Sequence, residues 1–180
     1  MSEKKQIYIE GTNNRYQMKK VCKVAKKEKR DVELPEDVVE NNSQKEKDTL
    51  CQLFMNGREI SNNWSNYIYE CINVKRNSYL QQDKRKERCN NLTNESLFES
   101  LLSSNLLCFY CLEKIKIVYT DNREMKQWTV DRINNDIGHL QDNIVITCLE
   151  CNIEKCRKNH DKFLFTKQLK IIKGNSENTI

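Results

Sequence analysis

Apolar positions recur along this chain in three ways. Residues 1–48 carry few of them and no sustained period of 3.6 or 2.0, so this stretch reads as a flexible, disordered tail. From Asp48 onward Leu50, Leu53 and Phe54, then Trp64, Tyr67, Ile68, Cys71 and Ile72, recur at helical spacing and predict two short helices separated near Gly57. Leu80 to Cys89 fits a helix or a loop equally. Leu97, Phe98, Leu101 and Leu102 form one stripe behind Thr93 or Asn94, either of which can cap a helix ending near Ser104–Asn105. Residues 49–104 are therefore expected to be a short helical segment. After Cys111 the apolar residues become β-branched and aromatic: Ile115, Ile117, Val118 and Tyr119, then Trp128, Val130 and Ile133, then Ile144, Val145 and Ile146. These read as short strands, with a polar loop at Asn134 to Asn143. From Asn152 no helix breaker intervenes before Gly174, so a helix is predicted to start near Cys151 and to bend near Asn159–His160. The order strand, loop, strand, helix gives an α+β fold.

Length and composition narrow the picture. The 180 residues suffice for one ordinary domain plus a tail, and a multidomain enzyme is excluded. With 37% hydrophobic and 32% charged residues, and a mean hydropathy of −0.84, part of the chain is expected to stay outside any core. No apolar run approaches the roughly 18–20 residues of a membrane span, and Met1 to Glu10 is charged. The expectation is a soluble intracellular protein, of cytoplasm or nucleus, with no membrane partner and no small-molecule substrate.

The net charge of +5 is modest, so its distribution matters more. Lys19 to Arg30 holds seven basic residues and Asp31 to Glu40 five acids, abutting blocks typical of a solvated segment. Lys84 to Arg88 is another basic stretch. Lys155 to Lys173 holds seven basic residues against Asp161 alone. Within it Lys155, Arg157, Lys158 and Lys162 read either as a solvated helix face or as a phosphate-contacting face.

Nine unevenly spaced cysteines in an unsecreted chain do not suggest a disulfide framework. Two pairs stand out, Cys108/Cys111 and Cys148/Cys151, with 36 residues between them. A Cys-x-x-Cys turn aims two thiolates at one ion, and two such turns complete a tetrahedral sulfur shell, so these four are read as a structural zinc site. A full thiolate shell leaves no open position for water and does no chemistry. Unligated buried cysteines are the alternative.

Around these pairs stand Trp128-Thr-Val-Asp131-Arg132-Ile133, then Gly138-His139, Asp142-Asn143, and Cys148-Leu-Glu-Cys151-Asn152 with Lys155. The ordered set resembles the HNH endonuclease family over roughly Leu107 to Leu169. The resemblance implies a zinc-stabilised ββα-metal finger over residues 105–173 that cleaves phosphodiester bonds in DNA. Asp131 would match the metal-binding acid and Asn152 the metal ligand on the helix, together holding a catalytic Mg²⁺ or Mn²⁺. Such oxygen ligands suit a hard cation that must also bind a phosphate oxygen. Asn143 would match the loop asparagine that holds the site together, or it is simply a turn residue.

Arg132 departs from the family, standing where the usual general base is histidine. Guanidinium stays protonated and cannot accept a proton from water, but it can clamp a phosphate bidentately. The Asp-Arg-Ile branch is similar to sequences from phages and large DNA viruses. With Arg132 unable to act, His139 is the candidate base, metal-bound hydroxide is the alternative, and His160, eight residues past Asn152, is placed about 12 Å along a straight helix as a surface residue. Trp128 is expected in the small core rather than on a base, and Phe163, Leu164, Phe165 and Leu169 as an apolar anchor. Two other functions compete: a catalytically inactive zinc-dependent nucleic-acid-binding module, and a purely structural or protein-interaction zinc finger.

Overall fold

The computed structural model describes residues 43–57 and 62–169. The charge blocks between Lys19 and Glu40, and the chain beyond Leu169, lie outside the described residues. The described part is α+β, with five α-helices and one two-stranded sheet.

Three helices come first. Helix α1 (Ser43–Asn56) buries Glu46, Thr49, Leu50 and Leu53, one face at i, i+3, i+4, i+7 spacing. It starts inside the stretch expected to be tail, because Glu46 and Thr49 extend the apolar face backward with buried polar groups. The Glu46 carboxylate accepts the Val118 backbone N–H at 3.0 Å, and the Thr49 hydroxyl accepts the Trp64 indole N–H at 2.8 Å. Helix α2 (Asn63–Arg85) is 23 residues long, far from short, and resolves the ambiguity at Leu80 as helix up to Arg85. Asn62 caps it by accepting the Ser65 N–H at 2.7 Å. Helix α3 (Asn94–Ser103) carries the expected stripe and is capped by Thr93, not Asn94, in a capping box with Ser96. Helix α1 packs on both α2 and α3.

The expected strand over Ile115–Tyr119 is not one. Ile115 and Ile117 are buried, but the segment makes only isolated bridges. Its backbone N–H groups go to three different places: Ile115 to the Leu106 carbonyl, Lys116 to Lys126, and Val118 to Glu46. A strand needs one continuous partner, and this segment has none.

The two strands are β1 (Trp128–Arg132) and β2 (Ile144–Cys148), antiparallel, with Trp128 opposite Cys148 and Arg132 opposite Ile144. Nearly every residue of both is buried; β2 is accordingly apolar at Ile144, Val145 and Ile146, while β1 buries Thr129 and Asp131 beside Trp128 and Val130. Helix α2 holds β1 from one side through the Tyr79 hydroxyl, which accepts the Val130 N–H at 3.0 Å. Trp128 is fully buried, as its expected core role requires.

Helix α4 (Leu149–Lys155) follows β2 directly and packs on both strands. It ends at Cys156, whose φ of 49° breaks the helical path, and α5 (His160–Gln168) starts afresh with Asn159 as its cap. Of the expected apolar anchor, Phe163 is buried and Leu164 half-buried against the core, whereas Phe165 and Leu169 are exposed on the other side. One apolar core runs from Leu50 through Ile68, Leu97, Tyr110 and Trp128 to Phe163, joining the helical segment and the hairpin region.

Candidate active site and metal centre

The two Cys-x-x-Cys steps meet at one end of the hairpin. Cys108 and Cys111 lie in a tight turn closed by the Cys108 N–H on the Glu113 carbonyl at 2.8 Å and the Leu112 N–H on the Cys108 carbonyl at 2.9 Å. The turn is seated on β2 by the Phe109 N–H, which donates to the Ile146 carbonyl at 2.9 Å. Cys148 ends β2, and Cys151 sits in the first turn of α4. All four sulfurs lie within 4.8 Å of one another, and Cys111 and Cys148 approach to 3.9 Å. A tetrahedral zinc with Zn–S bonds of about 2.3 Å separates its sulfurs by roughly 3.8 Å, so these four cysteines fit one such ion.

Without an ion the cluster favours a single thiolate. The Cys148 thiol and three backbone N–H groups bring the Cys108 thiol down to about 5 despite burial. Sharing a proton with Cys108 and being buried push the Cys148 thiol far up, while burial and the Cys108 charge push Cys151 up to about 12. One thiolate is accommodated by the protein alone. Four require a cation between them.

The other end of the hairpin opens into a cleft of about 900 Å³. Asp131, Arg132, His139 and Asn152 all line it, as does His160. The sequence-selected residues therefore converge, but not in the expected roles.

Asp131 is buried. Its Oδ2 accepts from the Tyr110 hydroxyl at 2.7 Å and from Lys155 Nζ at 2.9 Å, and its Oδ1 accepts from Lys155 Nζ at 3.2 Å. Lys155 also donates to the Arg132 carbonyl at 2.7 Å and is fully buried. It is thus no solvent-facing phosphate contact, because as the last residue of α4 it turns inward onto β1. Asn152 donates its amide to Thr129 Oγ1 at 3.1 Å and the Val130 carbonyl at 3.3 Å, which fixes it against the same strand.

This arrangement does not fit a divalent cation between Asp131 and Asn152. A hard cation needs carboxylate oxygen at about 2.0–2.1 Å. Here both Asp131 oxygens already carry an ammonium, which neutralises the carboxylate and sits where the ion would have to bind.

His139 is equally far from its expected role. It is 2% exposed, its backbone N–H and Nδ1 both meet Asp83 Oδ2 at 2.8 Å, and its ring lies against Tyr79 with centroids 4.8 Å apart. Burial depresses its imidazole below the ordinary 6.5, more than Asp83 raises it. Burial pushes Asp83 upward in turn, but hydrogen bonds from His139 and Asn90 outweigh this and hold its carboxyl below the usual value. Gly138 permits this docking, since a Cβ there would stand 1.8 Å from the Cys89 carbonyl oxygen. His139 is therefore a strut between the loop and α2, almost wholly buried where it meets the cleft.

Asn143 ties the loop together. Its amide donates to the Asn134 and Gly138 carbonyls, each at 3.0 Å, and its Oδ1 accepts the Asn134 N–H at 2.9 Å. Arg132 donates Nη1 to the Ile137 carbonyl at 3.1 Å and lies 3.9 Å from Asp83 Oδ1, leaving the rest of its guanidinium for the cleft. Arg157 and Lys158 are exposed at the rim, joined by Lys86 and Arg88; Lys162 is exposed but outside the cleft lining.

Three residues of the site escaped the sequence reading. Tyr110 lies inside a Cys-x-x-Cys step, where attention goes to the sulfurs. Asp83 sits in a polar stretch with no motif. His160 was placed along a straight helix, and the break at Cys156 brings it back, so that its Nδ1 stands 2.9 Å from the Tyr110 hydroxyl. The one available signal was the basic stretch Lys84–Arg88, which supplies two cleft cations.

No protein-family model and no solved structure matches this chain. A stretch of 67 residues, 37% of the chain, is 37% identical to "Uncharacterized protein R423" of Acanthamoeba polyphaga mimivirus. The matched stretch spans 11% of that relative's length. Among the described residues no helix is long and apolar enough to cross a membrane.

Proposed function

We propose that this chain is an HNH-like endonuclease that hydrolyses phosphodiester bonds in DNA on a ββα finger held together by zinc in the four-cysteine cluster. One observation carries the reading: Asp131, Arg132 and Asn152 meet in a single open cleft whose rim bears Lys86, Arg88, Arg157 and Lys158. A phosphodiester is a small anion on a polyanionic strand. Rim cations attract and orient the strand without reading its sequence. Arg132, anchored at Ile137, presents its remaining N–H donors to the scissile phosphate and stabilises the charge that develops as water adds to phosphorus. The zinc orders β2, α4 and the Cys108 turn around the cleft and takes no part in the reaction. The Mg²⁺ or Mn²⁺ implied by the family resemblance has no step here, because Lys155 neutralises Asp131.

A second reading rests on that same ion pair. A carboxylate locked to Lys155 suits a catalytically inactive nucleic-acid-binding module that kept the finger and the basic rim. A plasmid-nicking assay on zinc-loaded protein, run with and without Mg²⁺ or Mn²⁺ beside Arg132→Ala and a salt titration of DNA binding, separates them. Nicking that is lost in Arg132→Ala supports the nuclease. Salt-sensitive binding without cleavage of plasmid or branched DNA under any of these conditions gives the binding module.

A further inference from the structure

We infer that His160 is the general base of the cleft, held in its proton-accepting tautomer by Tyr110 and Asp131; this rests on the nuclease reading. Hydrolysis at the cleft requires a group that takes a proton from the attacking water. The chain has two histidines. His139 is buried with its ring against Tyr79 and Asp83, and Arg132 has no lone pair to offer. His160 is half-buried and lines the cleft.

The hydrogen bonds fix which nitrogen is free. Tyr110 has one hydroxyl proton. The carboxylate can only accept, so the 2.7 Å contact is Tyr110 donating to Asp131 Oδ2. The Tyr110 oxygen then has only lone pairs left for His160, and the 2.9 Å contact is His160 Nδ1–H donating to it. A neutral imidazole carries one N–H, so Nε2 keeps its lone pair. The ring plane is fixed as well: it stacks on Phe109 with centroids 5.3 Å apart and meets Tyr110 edge-on at 5.5 Å.

In the reaction Nε2 takes a proton from water as the water oxygen forms its bond to phosphorus. The bond from phosphorus to the leaving sugar oxygen breaks, its electron pair goes to that oxygen, and the oxygen takes a proton from solvent. The imidazolium later returns its proton to solvent. While it is charged, its Nδ1–H stays bonded to the Tyr110 oxygen. Tyr110 is a positioning residue; His160 meets the water.

The test uses the zinc-loaded full chain in single-turnover plasmid nicking, with His160→Gln, with His160→Ala in the presence and absence of imidazole, and with Tyr110→Phe. The loss of a general base predicts a rate roughly 10²–10⁴-fold lower in His160→Gln. DNA affinity stays unchanged, and imidazole partly restores cleavage by His160→Ala. Ring ¹⁵N resonances show the Nδ1–H tautomer of His160 in the wild type and its loss in Tyr110→Phe, which a merely structural tyrosine would not cause. Wild-type nicking matched by His160→Gln overturns the inference and leaves the nuclease reading standing. So does an Nε2–H tautomer in the wild type. A wild type that cuts nothing sinks the nuclease reading and the inference with it.

Discussion

The same two short strands serve two opposite purposes at their two ends. At the Trp128–Cys148 end four sulfurs close around a point no larger than one ion. At the Arg132–Ile144 end the strands open into a cleft whose polar groups come from five separate parts of the chain. The closed end spends all its ligands on structure. The open end leaves polar groups at a cleft, and its buried carboxylate Asp131 is balanced by Lys155. A framework that small gains little order from hydrophobic burial alone, and a metal held by the sulfur cluster would add rigidity beside the cleft.

The division is broken most severely at the closed end. Removing the metal, or replacing Cys148 with Ser, is expected to unfold the hairpin region. Zinc binding at such sites is worth about 10–16 kcal/mol, against a total stability of about 5–15 kcal/mol for a small domain. Circular dichroism and thermal melts with and without a strong chelator check this, beside native mass spectrometry expecting one zinc per chain. An unchanged melting midpoint after complete metal removal would show that the cysteines are only packed.

The next largest effect is at the buried ion pair. Lys155→Met leaves the Asp131 carboxylate buried with only Tyr110 as a donor, a change that typically costs about 3–5 kcal/mol. Adding Asp131→Asn to it recovers most of the loss, because no uncompensated charge remains. Urea denaturation of the zinc-loaded variants measures both. Mg²⁺ is expected to leave the wild-type midpoint where it is, and a Mg²⁺-dependent rise would show that the ion displaces Lys155 after all.

A smaller effect is expected where the loop meets α2. His139→Gln loses the ring's bond to Asp83, worth about 1.5–3 kcal/mol for a hydrogen bond to a charged group. Its pH dependence has a definite sign. Burial keeps the folded His139 below 6.5, so beneath that pH the unfolded chain takes up a proton that the folded chain refuses, and stability falls. Asp83 is held below 3.8 when folded, so its share persists until the pH drops beneath that value and is then lost in the same direction. The urea midpoint of the wild type should therefore decline between pH 7.5 and 5.5 more steeply than that of His139→Gln. Parallel declines would place the acid sensitivity elsewhere, the cysteine cluster included.

What could be read in advance follows the same line between the two ends. The sulfur cluster was legible because each Cys-x-x-Cys step is a local geometry, written within four residues. The hairpin and α3 were legible because their apolar periods are confined to the elements themselves. The cleft was legible only in its strand, loop and helix residues, because Asp83, Tyr110 and His160 join Asp131 and His139 only after the chain has folded, and no spacing encodes a contact across 50 residues. His160 also needed a break at Cys156, where a non-glycine residue adopts a positive φ without any Gly or Pro to announce it. Lys155 misled for a related reason. A lysine in a basic run looks solvated unless its helix face is known, and here that face is the one turned to Asp131.

The smallest expected effect therefore sharpens the comparison most. Arg157 and Lys158 stand exposed at the cleft rim, Lys162 lies outside it, and Lys155 is buried with its charge spent on Asp131. Each phosphate neutralised by a protein cation steepens the dependence of log affinity on log salt by about 0.9 on duplex DNA. Arg157→Ala and Lys158→Ala should each flatten that slope by about 1 and weaken binding regardless of DNA sequence. Lys162→Ala should change it less. A folded Lys155→Met/Asp131→Asn double variant should leave it unchanged, because the pair it removes is neutral as a unit and never faces the strand. Equal slopes for the Arg157, Lys158 and Lys162 variants would mean that DNA follows the whole basic face of residues 157–162 rather than the cleft. The open end would then be no more than the edge of a binding surface.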